Sequence, residues 1–339
     1  MLNQLAYVLR ATSTAEAADY AQQAIDYSRE LKFPKGEALG LFRLGITQGF
    51  QYNWDQTLAT LEESRTLAVR IGEWNIAAET SLNIGGIYQT RSNTKKAFEN
   101  LVSSMSFYEK AGNRKGVASA LYGIGNTYTK EKKYDLALEN YQKSQALFEE
   151  LGEVREIPKV LVNVGTLYHE QANDTEALHY FTQAIDGFRE SKNQRGTATA
   201  LLYRADTYFA LNEWNNAIND LNASMVLNNQ TNHEFNKVKC HVLYGKIFRA
   251  QGKLDEARKQ LEESLVISKK VKLTQETSDA YRLLAEISSD QGDYKNAYYF
   301  HQQHRVYNDS IFNKEKSRQI QELQIAYETE KKEAEIRDL

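Results

Sequence analysis

Histidines, a recurring serine and one pair of cations are the residues of this chain best placed to do chemistry. His301 and His304 are three apart, so on a helix they share a face and can offer two imidazoles to a metal ion. No Asp, Glu or Cys stands at ligand spacing beside them, and a two-histidine site is incomplete. His169 followed by Glu170 begins like a zinc-protease helix, but the fifth residue is Asn173 and not histidine. Ser104, Ser144, Ser224 and Ser264 recur at multiples of one interval, as a repeated nucleophile would. A phosphate loop is excluded, because Gly245-Lys246 is followed by Ile247 where Ser or Thr would hold the metal. Lys246 and Arg249 lie one helical turn apart and can together receive a carboxylate.

The elements that position these residues repeat every 40 residues. One column reads Leu5, Gly45, Gly85, Gly125, Gly165, Ala205, Gly245 and Ala285. Another, twelve residues later, reads Ala17, Thr57, Ala97, Ala137, Ala177, Ala217, Ala257 and Ala297. Two helices whose backbones approach closely need such small residues. The four serines share a further small column, so packing explains their recurrence. His301 and His304 likewise occupy the second-helix packing columns of the last copy, where earlier copies carry Leu, Tyr or Phe and then Ser or Ala. Packing is therefore expected for both histidines, with no catalytic residue, metal site or cofactor. A period held across eight copies predicts a solenoid in which each unit touches chiefly its neighbours, a surface for binding and not an enzyme.

Apolar spacing is helical almost throughout and only two residues are proline, so the fold class is all-α. In the third full copy, Leu121, Ile124 and Tyr128 form one stripe, Lys132-Lys133 a turn, and Leu138, Tyr141, Ser144 and Leu147 the second helix. Gly112 and Gly152 suit left-handed helix ends, and Ser13 with Glu16 reads as a capping box. The expected organisation is an α-solenoid over residues 1–312 and a charged helical tail or linker over 313–339. Helix 1 carries Leu2, Leu5, Val8 and Leu9 and opens as if halfway through a repeat, which predicts a truncated first copy and further sequence before it. With 42 basic and 45 acidic residues the formal charge is −3, so no global field points to direct nucleic-acid binding. Cys240 is the only cysteine, which excludes an internal disulfide but leaves cytoplasm and periplasm both open. No apolar run of about 18 residues is present to span a bilayer.

The paired columns resemble the tetratricopeptide repeat. Ile84-Gly85 with Tyr88, Ile124-Gly125 with Tyr128 and Val164-Gly165 with Tyr168 carry the first half of its motif. Ala97, Leu101 and Ser104, then Ala137, Tyr141 and Ser144, then Ala177, Phe181 and Ala184 carry the second. The period of 40 exceeds the usual repeat of about 34 and the closing proline is missing, so longer helices and a looser turn between repeats are expected. The resemblance implies a right-handed superhelix of about eight helix-turn-helix copies and a groove lined by the first helix of each. Positions three before, one after and four after the first small column should face that groove. Leu82, Gly86 and Gln89 are the first such set within the glycine-rich copies. The central groove is then Tyr122, Asn126, Thr129, Thr166, His169, Leu202, Asp206, Phe209, Lys246 and Arg249, spread over copies three to six. Side-chain amides such as Asn126 can bond the backbone of an extended protein or peptide segment while Tyr122, Leu202 and Phe209 receive its side chains.

Beyond Phe312, Ile320, Leu323 and Tyr327 step as on one helix face among many charges, which predicts a helix that dimerises only weakly. The phrase Asp309-Ser310-Ile311-Phe312 with this charged helix resembles the junction of Bacteroidetes-type signalling proteins. There the repeat array leads into a membrane span and histidine kinase, or into a helix-turn-helix DNA-binding domain, and the resemblance implies such a part after Leu339. The leading expectation is a non-enzymatic scaffold that senses a ligand or docks a partner in a bacterial signal-transduction protein. A cytosolic signalling-peptide receptor and a free-standing assembly scaffold are the alternatives.

Overall fold

The structure is a computed structural model that describes residues 1–10, 12–50 and 54–312. These residues fall into two compact units, the first Met1–Gln171 and the second beginning at Ala172. The first holds α1 (Leu2–Leu9), α2 (Thr14–Glu30), α3 (Pro34–Phe50), α4 (Trp54–Arg70), α5 (Trp74–Thr90), α6 (Thr94–Lys110), α7 (Arg114–Lys130), α8 (Tyr134–Glu150) and α9 (Ile157–Glu170). The second holds α10 (Asp174–Glu190), α11 (Gln194–Ala210), α12 (Trp214–Gln230), α13 (Glu234–Ala250), α14 (Leu254–Lys270) and α15 (Thr274–Asp290), then helical residues 294–312. No strand occurs among the described residues. The protein is an all-α solenoid of successive packed helix pairs. The tail expected over 313–339 lies outside the described residues.

Most helices have 17 residues and the next begins 20 residues on. The turns are alike for a local reason. A residue with positive φ recurs at the same place in every described turn from Lys32 to Gly292, including Gly112 (φ 65°), Lys132 (φ 58°) and Gly152 (φ 68°). After α6 the Gly112 N–H donates to the Glu109 carbonyl (3.0 Å) and the Asn113 N–H to the Tyr108 carbonyl (2.9 Å). After α7, Lys132 and Lys133 make the same two bonds to Thr129 and Tyr128. This closure satisfies the last carbonyls of a helix without proline. The turn between repeats is therefore no looser than the turn within one, which corrects the sequence expectation. The exception lies between α8 and α9, where α9 begins only at Ile157. A helix starting three residues earlier would bury Pro158 in its interior, where proline lacks a donor and clashes with the preceding turn.

Asn93 and Asn113 cap α6 and α7 through side-chain bonds to the N–H groups of Lys96 (3.1 Å) and Gly116 (2.9 Å). Ser13 stands at the N-cap of α2, but its side chain makes no capping bond. The capping box read from Ser13 and Glu16 is thus corrected: the residue types fit, and the hydroxyl does not reach the first turn.

The small columns are close contacts. A Cβ on Gly85 would stand 2.8 Å from Leu101, on Gly125 2.6 Å from the Tyr141 ring, and on Gly245 2.8 Å from Leu261. In the second column Ala97, Ala137, Ala217 and Ala257 are fully buried. The recurring serines are buried ties between the two helices of a pair. Ser64, Ser104, Ser144 and Ser224 donate to the carbonyls of Ala38, Ala78, Ala118 and Ala198 at 2.7 to 2.8 Å. His304 continues that column, its Nδ1 lying 3.0 Å from the Ser278 carbonyl. His301 departs from expectation, because it is exposed. Phe300 and Tyr307 pack against Tyr281 in its stead, so the last helix presents a face turned by one residue.

Within each unit consecutive helices pack together, and odd-numbered helices also reach the next odd one, as α5 reaches α7 and α11 reaches α13. Even-numbered helices make no such approach within a unit. Each unit therefore bends toward its odd-numbered helices, whose free faces line the inner side.

Candidate functional site

On the inner side of the first unit a polar network joins α7, α8 and α9. The Asn126 Oδ1 accepts from the Tyr141 hydroxyl (2.8 Å) and from the Asn163 Nδ2 (2.6 Å). The Asn163 Nδ2 also donates to the Tyr122 hydroxyl (2.9 Å), and Thr129 lies 3.0 Å from the Tyr141 hydroxyl. Burial pushes the Tyr141 phenol well above its ordinary pKa, so it remains a neutral donor. With both lone pairs of its oxygen engaged, Asn126 has its Nδ2 left to donate, and no acceptor among the described residues meets it.

Two cavities flank this network. One of about 300 Å³ is walled by Leu82, Tyr122, Phe148 and Val160, with Gly86, Gln89 and Asn126 at its edge. A second of about 320 Å³ shares Gly86, Gln89 and Asn126 and adds Thr129, Lys130, Asn163 and Thr166. The first is largely apolar, and the second is lined mostly by polar side chains. Thr166 bonds its own helix at the Val162 carbonyl (2.9 Å). His169 is partly buried and lines neither cavity.

The second unit presents charge at the equivalent positions. A cavity of about 230 Å³ is lined by Leu202, Tyr203, Asp206, Lys239, Lys246 and Glu276, among others. Lys246 has no salt-bridge partner among the described residues. Arg249, one turn on, binds Glu286 and Asp290, the latter at 2.7 Å, and these hydrogen bonds raise its pKa. A ligand carboxylate at Arg249 would have to displace one of them. Leu202 is buried in the cavity wall, and Phe209 packs against the same core cluster without lining the cavity.

Among the described residues no group of three or more His, Cys, Asp and Glu is placed to hold a metal, and no helix is long and apolar enough to cross a membrane. The model of the MalT-like TPR region matches residues 159–336, more than half of the chain. The chain belongs to that tetratricopeptide repeat family. A second tetratricopeptide repeat model matches residues 116–190. No curated protein matches this tetratricopeptide repeat chain. Among solved structures it is similar to the apo quorum sensor NprR from B. thuringiensis, with a TM-score of 0.69 and 16% identity over 90% of this chain and 86% of that one. It is also similar to a Rap protein complexed with Competence and Sporulation Factor, with a TM-score of 0.65 and 14% identity over 92% and 98% of the two chains. A third is the Rap conjugation gene regulator of plasmid pLS20 in complex with the Phr* peptide, with a TM-score of 0.64 and 14% identity over 92% and 95%. At such identity these likenesses show the fold.

In this tetratricopeptide repeat protein the sequence pattern located Tyr122, Asn126, Thr129 and Thr166 beside one another on the first unit, and Leu202, Asp206 and Lys246 on the second. It passed over Asn163, Lys130, Lys239 and Glu276. Asn163 stands two before the small column, and Lys239 six before it on the same helical stripe as the positions chosen. Extending that stripe by one turn reaches Lys239, whereas Asn163, three before Thr166, lies on its flank and needed a wider stripe.

Proposed function

We propose that this chain is a non-enzymatic scaffold that binds an extended protein or peptide segment on the inner faces of its odd-numbered helices, as the sensing or docking part of a bacterial signal-transduction protein. The repeat register continues unbroken from the first unit into the second, which supports reading residues 1–312 as one array. The observation that carries the proposal is Asn126, whose amide oxygen is held by Tyr141 and Asn163 and whose N–H groups meet no acceptor among the described residues. A donor held this way costs little to order when it meets a ligand carbonyl. Tyr122 and Leu82 beside it offer apolar area, and in the second unit Lys246 offers a cation to a carboxylate.

The signalling-peptide receptor is a second reading with its own support, since one similar protein is described as a quorum sensor and another was solved with a peptide. The charged segment 313–339 would pass the signal onward in the first reading. Both readings require the inner face to bind. The test is a calorimetric titration of a peptide selected from a random linear library against the parent chain, Asn126→Ala and Asn140→Ala, the last on the even-numbered α8. Asn126→Ala should cost about 1 kcal/mol of affinity, the worth of one hydrogen bond, and Asn140→Ala nothing. Equal affinities for all three would remove Asn126 from the binding surface.

A further inference from the structure

Two adjacent glycines of α5 have opposite surroundings. A Cβ on Gly85 would collide with Leu101, whereas a Cβ on Gly86 would meet no atom within 4 Å. Glycine weakens a helix interior relative to alanine, and at Gly86 no packing demand offsets that loss. Gly86 also lies where the apolar and the polar cavity of the first unit meet, so the wall between them has no side chain at that point. One turn on, Gln89 donates through Nε2 to the Gly123 carbonyl (2.6 Å) and to Thr127 (2.8 Å). A main-chain carbonyl can only accept, so the amide orientation is fixed and Oε1 is left as an acceptor with no partner among the described residues.

The two cavities differ in charge. Lys159, beside the apolar one, is neutralised by Glu156 at 2.6 Å. Lys130, in the polar one, donates to the Gln89 carbonyl and has no carboxylate partner among the described residues. Partial burial lowers its pKa, as expected for a cation without a counter-charge.

Resting on the peptide-binding reading above, the geometry points to Gly86 as the crossing point of the ligand: an extended peptide lies across α5 against the bare helix backbone, with an apolar side chain in one cavity and an acidic one in the other. Gln89 Oε1 accepts a ligand main-chain N–H at the crossing, and Lys130 pairs with the acidic group. In an extended chain side chains two apart point the same way, so the recognised unit is an apolar residue, any residue, then Asp or Glu, in either direction. A side chain at Gly86 would block the crossing without touching the fold.

The test uses the intact chain and a random linear peptide library. Selected peptides should share an apolar and an acidic residue two positions apart. Titrated with one of them, Gly86→Leu should bind about tenfold more weakly or worse, while its melting temperature is unchanged or higher. Lys130→Gln should weaken binding, and reselection on it should lose the acidic preference. Gly86→Ala should melt a few degrees higher than the parent. If Gly86→Leu and Lys130→Gln both bind like the parent while Asn126→Ala binds more weakly, the inner face stands and the crossing at α5 is overturned. A lower melting temperature for Gly86→Ala would assign that glycine to folding, with the same consequence. A library that yields no binder removes the peptide-binding reading itself and this inference with it.

Discussion

The first unit presents amides and hydroxyls on its inner side where the second presents charges. One residue past the small column, Gly86, Asn126 and Thr166 are followed by Asp206, Lys246 and Glu286 in the same register. In the first unit these groups are held by neutral hydrogen bonds among Tyr122, Asn126, Tyr141 and Asn163. In the second they sit among ion pairs such as Arg249 with Glu286 and Asp290. Both units keep the same small columns and the same turns. The positions that pack are thus separate from the positions that face a ligand, and the second set can change its chemistry without disturbing the first.

The largest effect should come from breaking what the units share. Gly125→Leu forces a side chain into the Tyr141 ring, which a Cβ alone would approach to 2.6 Å, and should cost about 3 kcal/mol or more. Thermal unfolding checks this, and an unchanged midpoint would show that the column is not a contact. A smaller loss is expected where the second unit departs from the first in its packing. Arg204 occupies the column of Ile84 and Ile124, and forks onto Asp220 at 2.7 and 2.8 Å. Asp220→Ala leaves that guanidinium without its partner and should cost about 2 kcal/mol by chemical denaturation. The double variant Arg204→Ile with Asp220→Asn rebuilds the chemistry of the first unit and should come within about 1 kcal/mol of the parent.

Serine ties give a finer contrast. Ser144 donates to Ala118 at 2.8 Å in the first unit, whereas Ser264 lies 3.5 Å from Val238 in the second. Ser144→Ala should cost about 1 kcal/mol and Ser264→Ala much less, since a long bond contributes little. Equal costs would mean that the column needs only small volume. The smallest effect belongs to the turns. Lys132 carries a left-handed backbone at φ 58°, where Gly252 and Gly292 stand in other copies. Lys132→Gly should stabilise by about 0.5 kcal/mol, because relief of the left-handed strain slightly exceeds the added freedom of the unfolded chain.

Much of this was legible in the sequence because close helix packing leaves a mark at a fixed spacing. Gly85, Gly125 and Gly245 had to be small, and the stripe beside them was expected on the inner side because the tetratricopeptide resemblance places the first helix of each copy there. The pairing of Arg204 with Asp220 was not legible, since residues 16 apart meet only through the relative register of two helices. Nor was the tie made by Ser144, whose small size alone accounted for its column. The turns misled because the missing proline suggested slack, while two backbone bonds, as after α6, α7 and α8, close them as firmly. His301 misled because the column pattern continues through a copy whose helix has turned.

The central claim is that the inner faces of the odd-numbered helices are the binding surface. A library-selected peptide carrying a photoreactive group at each position in turn, crosslinked to the intact chain and mapped by mass spectrometry, tests it most directly. In the first unit the crosslinks should fall on α5, α7 and α9, clustered around Gly86, Tyr122, Asn126 and Asn163. Crosslinks concentrated on the even-numbered helices α6 and α8 would contradict it.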